Sequence, residues 1–229
     1  MMTSTPIIVI SSIKPRAGKT TLALNLAAAL WADNYQVKIL APHNNDVENF
    51  IRRRERFCQE NKILLPFPKL INNLHPEAID SDEKAVVIAD IPTAKNQEYA
   101  FVFAKAHTLI TVVDSPAHLQ TMHTDAYNNL VWQAKKNIAA RGIKYLNWIV
   151  VPNLWQENMW TMEEINEQSR RYGFRIAPGL HERESFCHIK DGYCAADMVS
   201  DAKAFKMSMA DVYARREILQ LTDFLWHKK

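Results

Sequence analysis

The chain has 229 residues, of which 48% are hydrophobic and 23% charged, with a formal net charge of +3. That is ordinary globular usage, which excludes wholesale disorder, and with 5 glycines it also excludes a collagen-like or Gly-rich linker protein. A balance of 28 basic to 25 acidic residues is too mild to mark a nucleic-acid binder by itself. The length fits one α/β domain spanning 1–229. The longest apolar runs, Pro6–Ile10 and Ala85–Ala89, fall far short of the ~20 residues a membrane helix needs, so no membrane role is expected. The opening Met-Met-Thr-Ser-Thr-Pro has neither the basic nor the apolar region of a signal peptide, and a cytoplasmic protein is expected. Cys58, Cys187 and Cys194 are odd in number and widely spaced, which fits reduced thiols rather than a disulfide framework. His181, Cys187, His188 and Cys194 match no usual zinc spacing and read as small thiols and surface histidines.

Along the chain, Ile7–Ile10 is a β-branched run that reads as a buried strand, and Lys19–Ala32 carries Leu22, Leu26, Ala29 and Leu30 at helical spacing. Val37–Leu40 is a second strand, and Asp46–Asn61 is a charged amphipathic helix. Pro66 and Pro68 break the pattern, so 62–84 reads as a surface connection with at most one short helix. Ala85–Ala89, ending at Asp90, and Leu109–Val113, ending at Asp114, are further strands. His118–Ala140 reads as one long helix, Trp148–Val151 as a strand ending at Pro152-Asn153, Met159–Tyr172 as a helix, Phe174–Ile176 as a sixth strand and Met207–Trp226 as a C-terminal helix. In that last helix Met209, Val212, Ile218, Leu221 and Leu225 are expected to pack on the sheet, with Arg215 and Arg216 on other faces. Trp155, Met159, Trp160 and Met162 read as core or loop anchors.

Short apolar strands alternating with helices predict a single-domain, three-layer α/β sandwich with a mostly parallel central sheet. Ligands then bind at the carboxyl ends of the strands, where Ser11, Ser12, Asp90, Asp114 and Asn153 stand. Three basic runs are visible: Arg52, Arg53, Arg54 and Arg56; Lys135 and Lys136; Arg170 and Arg171. They are read as solvated helix faces open to phosphate contact.

The strongest local signal is Ser11-Ser12-Ile13-Lys14-Pro15-Arg16-Ala17-Gly18-Lys19-Thr20-Thr21, placed between a strand and a helix. A phosphate-binding loop needs that context, because backbone N–H groups of the turn and the helix N-terminus then point at anionic oxygens. Gly18 allows close approach of the chain, Lys19 can reach the β- and γ-phosphates, and Thr20 can offer its hydroxyl to Mg²⁺. The ordinary pattern G-x-x-x-x-G-K-[ST] asks for Gly where Ile13 stands.

Lys14, five residues ahead of Lys19, resembles the first lysine of the deviant Walker A motif K-G-G-x-G-K-[ST]-T of the ParA/MinD family of P-loop ATPases. Lys14, Gly18, Lys19, Thr20 and Thr21 match it, while Pro15 and Arg16 replace its two glycines. Val86–Thr93 resembles the family's Walker B and switch II segment, and Ala106–Ser115 the following strand. Trp148–Asn153 resembles the strand whose terminal Asn reads adenine. Further strings, among them Val131-Trp132-Gln133-Ala134-Lys135, Arg171–Arg183 and Ala214-Arg215-Arg216-Glu217, are similar to the MipZ branch of that family, the division-plane positioning ATPases.

The resemblance implies a switch that binds ATP and Mg²⁺. Residues 15–21 would hold the nucleotide phosphates, Asn153 the adenine, and Thr20 and, through water, Asp90 the metal. Lys19 would serve catalysis together with Lys14, which would reach the partner's nucleotide in an ATP-dependent homodimer. The resemblance also implies non-specific DNA binding, nucleoid association, contact with ParB and inhibition of FtsZ. The pattern fails after the second strand, where the family carries a D-x-D segment that positions the attacking water. Here the place reads Leu40-Ala41-Pro42-His43-Asn44-Asn45-Asp46, and Asp46 looks suited to capping a helix. The expectation is nucleotide binding with impaired turnover. The alternatives are a non-hydrolysing MipZ-like scaffold and a ParA-type partition ATPase. A small-molecule P-loop ligase would not need Lys14.

Overall fold

The computed structural model describes residues 6–42, 44–71, 85–93, 97–121, 125–142, 145–156, 161–197 and 207–226. The apolar runs fold as expected into strands β1 (Ile7–Ser11), β2 (Gln36–Leu40), β4 (Ala85–Asp90), β5 (Thr108–Val113) and β6 (Asn147–Trp155). Short strands β3 (Lys69–Ile71), β7 (Arg175–Ile176) and β8 (Leu180–His181) complete the sheet among the described residues. Its order is β3-β2-β4-β1-β5-β6-β7, with β8 on β6, and every pairing is parallel.

Helices cover both faces, as a parallel sheet requires. Because successive side chains point to opposite sides of a strand, each central strand feeds two cores. Ile8, Ile10, Val86, Ile88, Ile110, Val112, Ile149 and Val151 meet α1 (Lys19–Ala32), α2 (Asn45–Asn61) and the C-terminal helix, α7 (Met209–Trp226). Ile7, Val9, Val87, Leu109, Trp148 and Val150 meet α3 (Ala100–Lys105) and α5 (Asp125–Ala140) on the other face. Helix α1 is buried continuously from Leu22 to Leu30. A helix apolar on all sides belongs in a core, and this one lies between the sheet and α7.

Several expectations need correction. The long helix over 118–140 is two helices, α4 (Pro116–Gln120) and α5 (Asp125–Ala140). Ser115 caps the first, and Pro116 at its opening position sets the helical φ. The connection after α2 contains strand β3, which pairs with β2 despite the flanking Pro66 and Pro68. Helix α3 went unseen because it is only six residues long. The helix expected from Met159 is α6 (Met162–Tyr172); Met159 and Trp160 lie outside the described residues, as does all of 72–84. In α7, Ile218, Leu221 and Leu225 are buried, but Met209 and Val212 are exposed, because the helix overshoots the core at its start.

Candidate nucleotide and magnesium site

The turn after β1 runs from Ser12 to Gly18 and delivers the chain into α1 at Lys19. Gly18 has φ 89, a left-handed conformation that suits glycine, and a side chain there would collide with the Asn153 amide. Asn153 reaches from the end of β6 and donates through Nδ2 to the Ala17 carbonyl at 2.9 Å, tying the loop to the sheet. Arg16, which stands at a motif glycine, also has positive φ, 63. The loop therefore keeps a glycine-like backbone at a cost of about 1–2 kcal/mol for an L-residue. Among the described residues no hydrogen bond uses an N–H of residues 16–18, so these donors remain available to an anion. Lys14, Pro15 and Arg16 are exposed. The positive charge of Lys14 reaches His118, whose pKa is held below the ordinary value first by burial and then by Lys14.

The opening of α1 meets the end of β4. Thr20 Oγ1 donates to Asp90 Oδ2 at 2.6 Å, and Lys19 Nζ donates to Ser12 Oγ at 3.0 Å. Ser12 Oγ in turn donates to the Lys14 carbonyl at 2.5 Å, so one hydroxyl links the two lysine positions of the motif. Asp90 is 2% exposed. Burial pushes its carboxyl pKa up, against the Thr20 hydroxyl, the Lys19 charge and the Asn44 amide, which favour the ionised form. Burial lowers the Lys19 pKa, opposed by Asp90. A hydroxyl and a carboxylate converging on one point are hard oxygen ligands of the kind Mg²⁺ takes. The donor set fits that ion.

The second turn, after β2, supplies Asn44. Its Nδ2 donates to Asp90 Oδ2 at 2.8 Å and to Thr20 Oγ1 at 3.1 Å, while its Oδ1 accepts from the Asp46 amide at 3.0 Å. Asn44, and not Asp46, is thus the cap of α2, which begins one residue earlier than expected. Asp46 instead lines a cavity of about 600 Å³ with Thr20, Thr21, Arg53 and Lys190. Ala41 is buried and its carbonyl accepts from the Asn44 amide. His43 lies outside the described residues. On the other side of the loop a cavity of about 180 Å³ is lined by Arg16, Gly18, Asn153, Leu180, Arg183 and Phe186.

Not every polar strand end joins the site. Ser11 is fully buried and shares hydrogen bonds of 2.7 and 2.6 Å with Tyr127 and, through it, Thr111; Trp148 Nε1 closes the chain on Thr111. Burial pushes the Tyr127 pKa up to about 12, so the phenol serves as a neutral hydrogen-bonding pivot inside the core. Asp114 contacts His118 on the next turn. His181 and His188 pair with Glu217 and Asp211, Cys187 is exposed and Cys194 is buried.

The basic runs also divide. Arg54 is 1% exposed and forms a two-pronged pair with Asp197, at 2.7 and 2.6 Å, while donating to the carbonyls of Pro66 and Gly192. It is a structural clamp, missed because three exposed arginines surround it in sequence. Lys135 donates to the Tyr172 carbonyl and lies over the Trp148 ring. Arg52, Arg53, Arg56, Lys136, Arg170 and Arg171 remain exposed.

Among the described residues no helix is long and apolar enough to cross a membrane. The fold is shared with MinD from Aquifex aeolicus at 15% identity, 98% coverage of both chains and a TM-score of 0.61. It is shared with the ATP complex of a Cyanothece McdA variant at 14% identity, 99% and 98% coverage and a TM-score of 0.61. MinD with Mg-ADP from Pyrococcus horikoshii matches at 14% identity, 97% and 96% coverage and a TM-score of 0.58. A search of curated protein sequences finds no match. The sequence profile of ATPase MipZ matches residues 106–226, just over half of the chain. On that match, carried by a parallel sheet of the MinD type, the chain belongs to the MipZ ATPase family within the ParA/MinD superfamily of P-loop ATPases.

Proposed function

We propose that the chain is a nucleotide-dependent switch in which binding is retained better than hydrolysis. The observation that carries this reading is the convergence of Lys19, Thr20 and Asp90 beneath a loop whose N–H groups are unspent. Residues Pro15 to Thr21 hold the phosphates, Lys19 neutralises their charge, and the 180 Å³ cavity beside Asn153 takes the adenine. Thr20 and, through water, Asp90 hold Mg²⁺, which when bound offsets charge on the phosphate oxygens. Lys14 is exposed at the rim, which suits a lysine that serves a second copy's nucleotide in an ATP-dependent homodimer.

Turnover also needs an oriented water. The segment where the family carries its D-x-D pattern holds the buried Ala41 and Pro42, whose side chains offer that water no acceptor, while Asp46 lines the cavity beside Thr20. Hydrolysis is therefore slow and draws on Asp46. The exposed cations on α2, α5 and α6 support salt-sensitive, sequence-independent DNA binding by the dimer. ParB and FtsZ are the partners that MipZ resemblance offers, and together these properties make a nucleoid-associated regulator of division. The non-hydrolysing scaffold is the second reading, favoured by the missing acceptor at Ala41 and Pro42.

Equilibrium binding of ATP and single-turnover hydrolysis test the proposal together. Wild type is expected to bind Mg-ATP and release phosphate slowly, with Lys19→Ala losing most of the affinity. Unchanged affinity in Lys19→Ala overturns the binding half, and a fast single turnover overturns the slow-hydrolysis half.

A further inference from the structure

The side chain of Asn44 occupies both sides of one problem. Its amide lies between a carboxylate and a backbone N–H, and can be placed only one way round. Asp90 Oδ2 is an acceptor and needs the NH₂, whereas the Asp46 N–H needs the carbonyl. The same NH₂ also reaches Thr20 Oγ1, the other oxygen assigned to the metal. A neutral donor thus sits where a cation and its water would sit, on the same two oxygens. A cation held there repels the positive end of the amide, so the two cannot be accommodated together. When the amide leaves, its carbonyl leaves the Asp46 N–H as well, because both belong to one rigid plane.

We propose that Asn44 competes with a divalent cation, for Thr20 Oγ1 directly and for Asp90 Oδ2 through the cation's water, so that metal binding withdraws the N-terminal cap of α2. The inference rests on the reading of Thr20 and Asp90 as the metal site. Its reach is bounded by the packing of α2. Val47 and Phe50 are buried, and Arg54 fixes the helix to Pro66, Gly192 and Asp197. The release is confined to the turn ahead of Phe50, whose Asp46 already lines the cleft beside Thr20. Asn44 is in this view a positioning residue that reports metal occupancy to the switch turn. The same competition weakens metal binding in the resting protein.

Mn²⁺ titration, followed by the electron paramagnetic resonance of the free ion, tests this in wild type, Asn44→Ser and Asn44→Ala, without nucleotide and with ADP. Asn44→Ser keeps a capping hydroxyl but is too short to span to Asp90. Removing hydrogen bonds to a charged group is expected to tighten Mn²⁺ about ten-fold in both variants. Hydrogen exchange of residues 44–50 is read in parallel: it rises on Mn²⁺ addition in wild type and stays constant in Asn44→Ser. Equal Mn²⁺ affinity in wild type and Asn44→Ser overturns the proposal, as does a wild-type exchange rate that ignores bound Mn²⁺. Absence of Mn²⁺ binding in all three proteins overturns it together with the metal assignment. Competition without any ADP binding leaves Asn44 in its role and removes the nucleotide reading instead.

Discussion

The turn after β1 and the turn after β2 both converge on the buried Asp90 carboxylate, but they bring different chemistry to it. The first turn brings a cation and a hydroxyl, Lys19 and Thr20, from the opening of α1. The second brings a neutral amide, Asn44, on an apolar shoulder formed by Ala41 and Pro42. In the proposed function charge neutralisation falls to the first and water orientation to the second. The contrast teaches that one buried carboxylate can be shared by a turn that supplies charge and a turn whose polar side chain is spent on a helix cap.

The largest expected effect breaks the frame that holds the second turn. Arg54→Ala leaves Asp197 buried without its partner, and a loss of about 3–5 kcal/mol is expected in urea unfolding. A loss below ~1 kcal/mol would show that the clamp does not anchor α2. Next comes the first turn: Lys19→Ala is expected to weaken ATP binding by about 100-fold, roughly 3 kcal/mol by calorimetry, as befits a charged contact to phosphate. Asp46→Asn sharpens the second turn, lowering residual phosphate release about ten-fold or more at unchanged ATP affinity. An unchanged rate would assign the water to another group.

A pH series probes Asp90 directly. Its carboxyl pKa is raised by burial, so the folded state binds its proton more tightly than the unfolded chain. The metal-free protein should lose Asp90's stabilising contribution as pH rises through that raised pKa, and regain it on acidification. Asp90→Asn should abolish this dependence and raise Tm near neutral pH by a few degrees, about 1 kcal/mol for a chain of this size, while eliminating Mg²⁺ binding. A variant whose Tm tracks pH as wild type does would place the titration elsewhere. The smallest effect belongs to Arg16→Gly. Relief of the left-handed backbone at φ 63 is worth about 1 kcal/mol at most, since glycine also gains freedom in the unfolded chain.

The layered fold was legible because each central strand is an uninterrupted apolar run, such as Ile7–Ile10, and because Lys19–Ala32 is apolar on every side. The Lys19-Thr20-Asp90 convergence was legible for the same reason, since strand ends and a helix start fix those residues in a parallel sheet. The second turn was not. Nothing local distinguishes Asn44 from its neighbours His43 and Asn45; its role arises from two residues 24 and 46 positions away. Arg54 was hidden likewise, because its partner Asp197 is 143 positions distant and its neighbours Arg53 and Glu55 are exposed. Ser11 looked like a strand-end ligand, but strand alternation turns it toward Tyr127 and the opposite core.

A nucleotide switch of this kind changes its molar mass in solution with the nucleotide it holds. Light scattering without nucleotide, with Mg-ADP and with Mg-ATP should give a monomer in the first two conditions and a dimer only in the third. Lys14→Ala should remain monomeric throughout. A mass that does not change with nucleotide would contradict the switch, whatever the affinity for ATP.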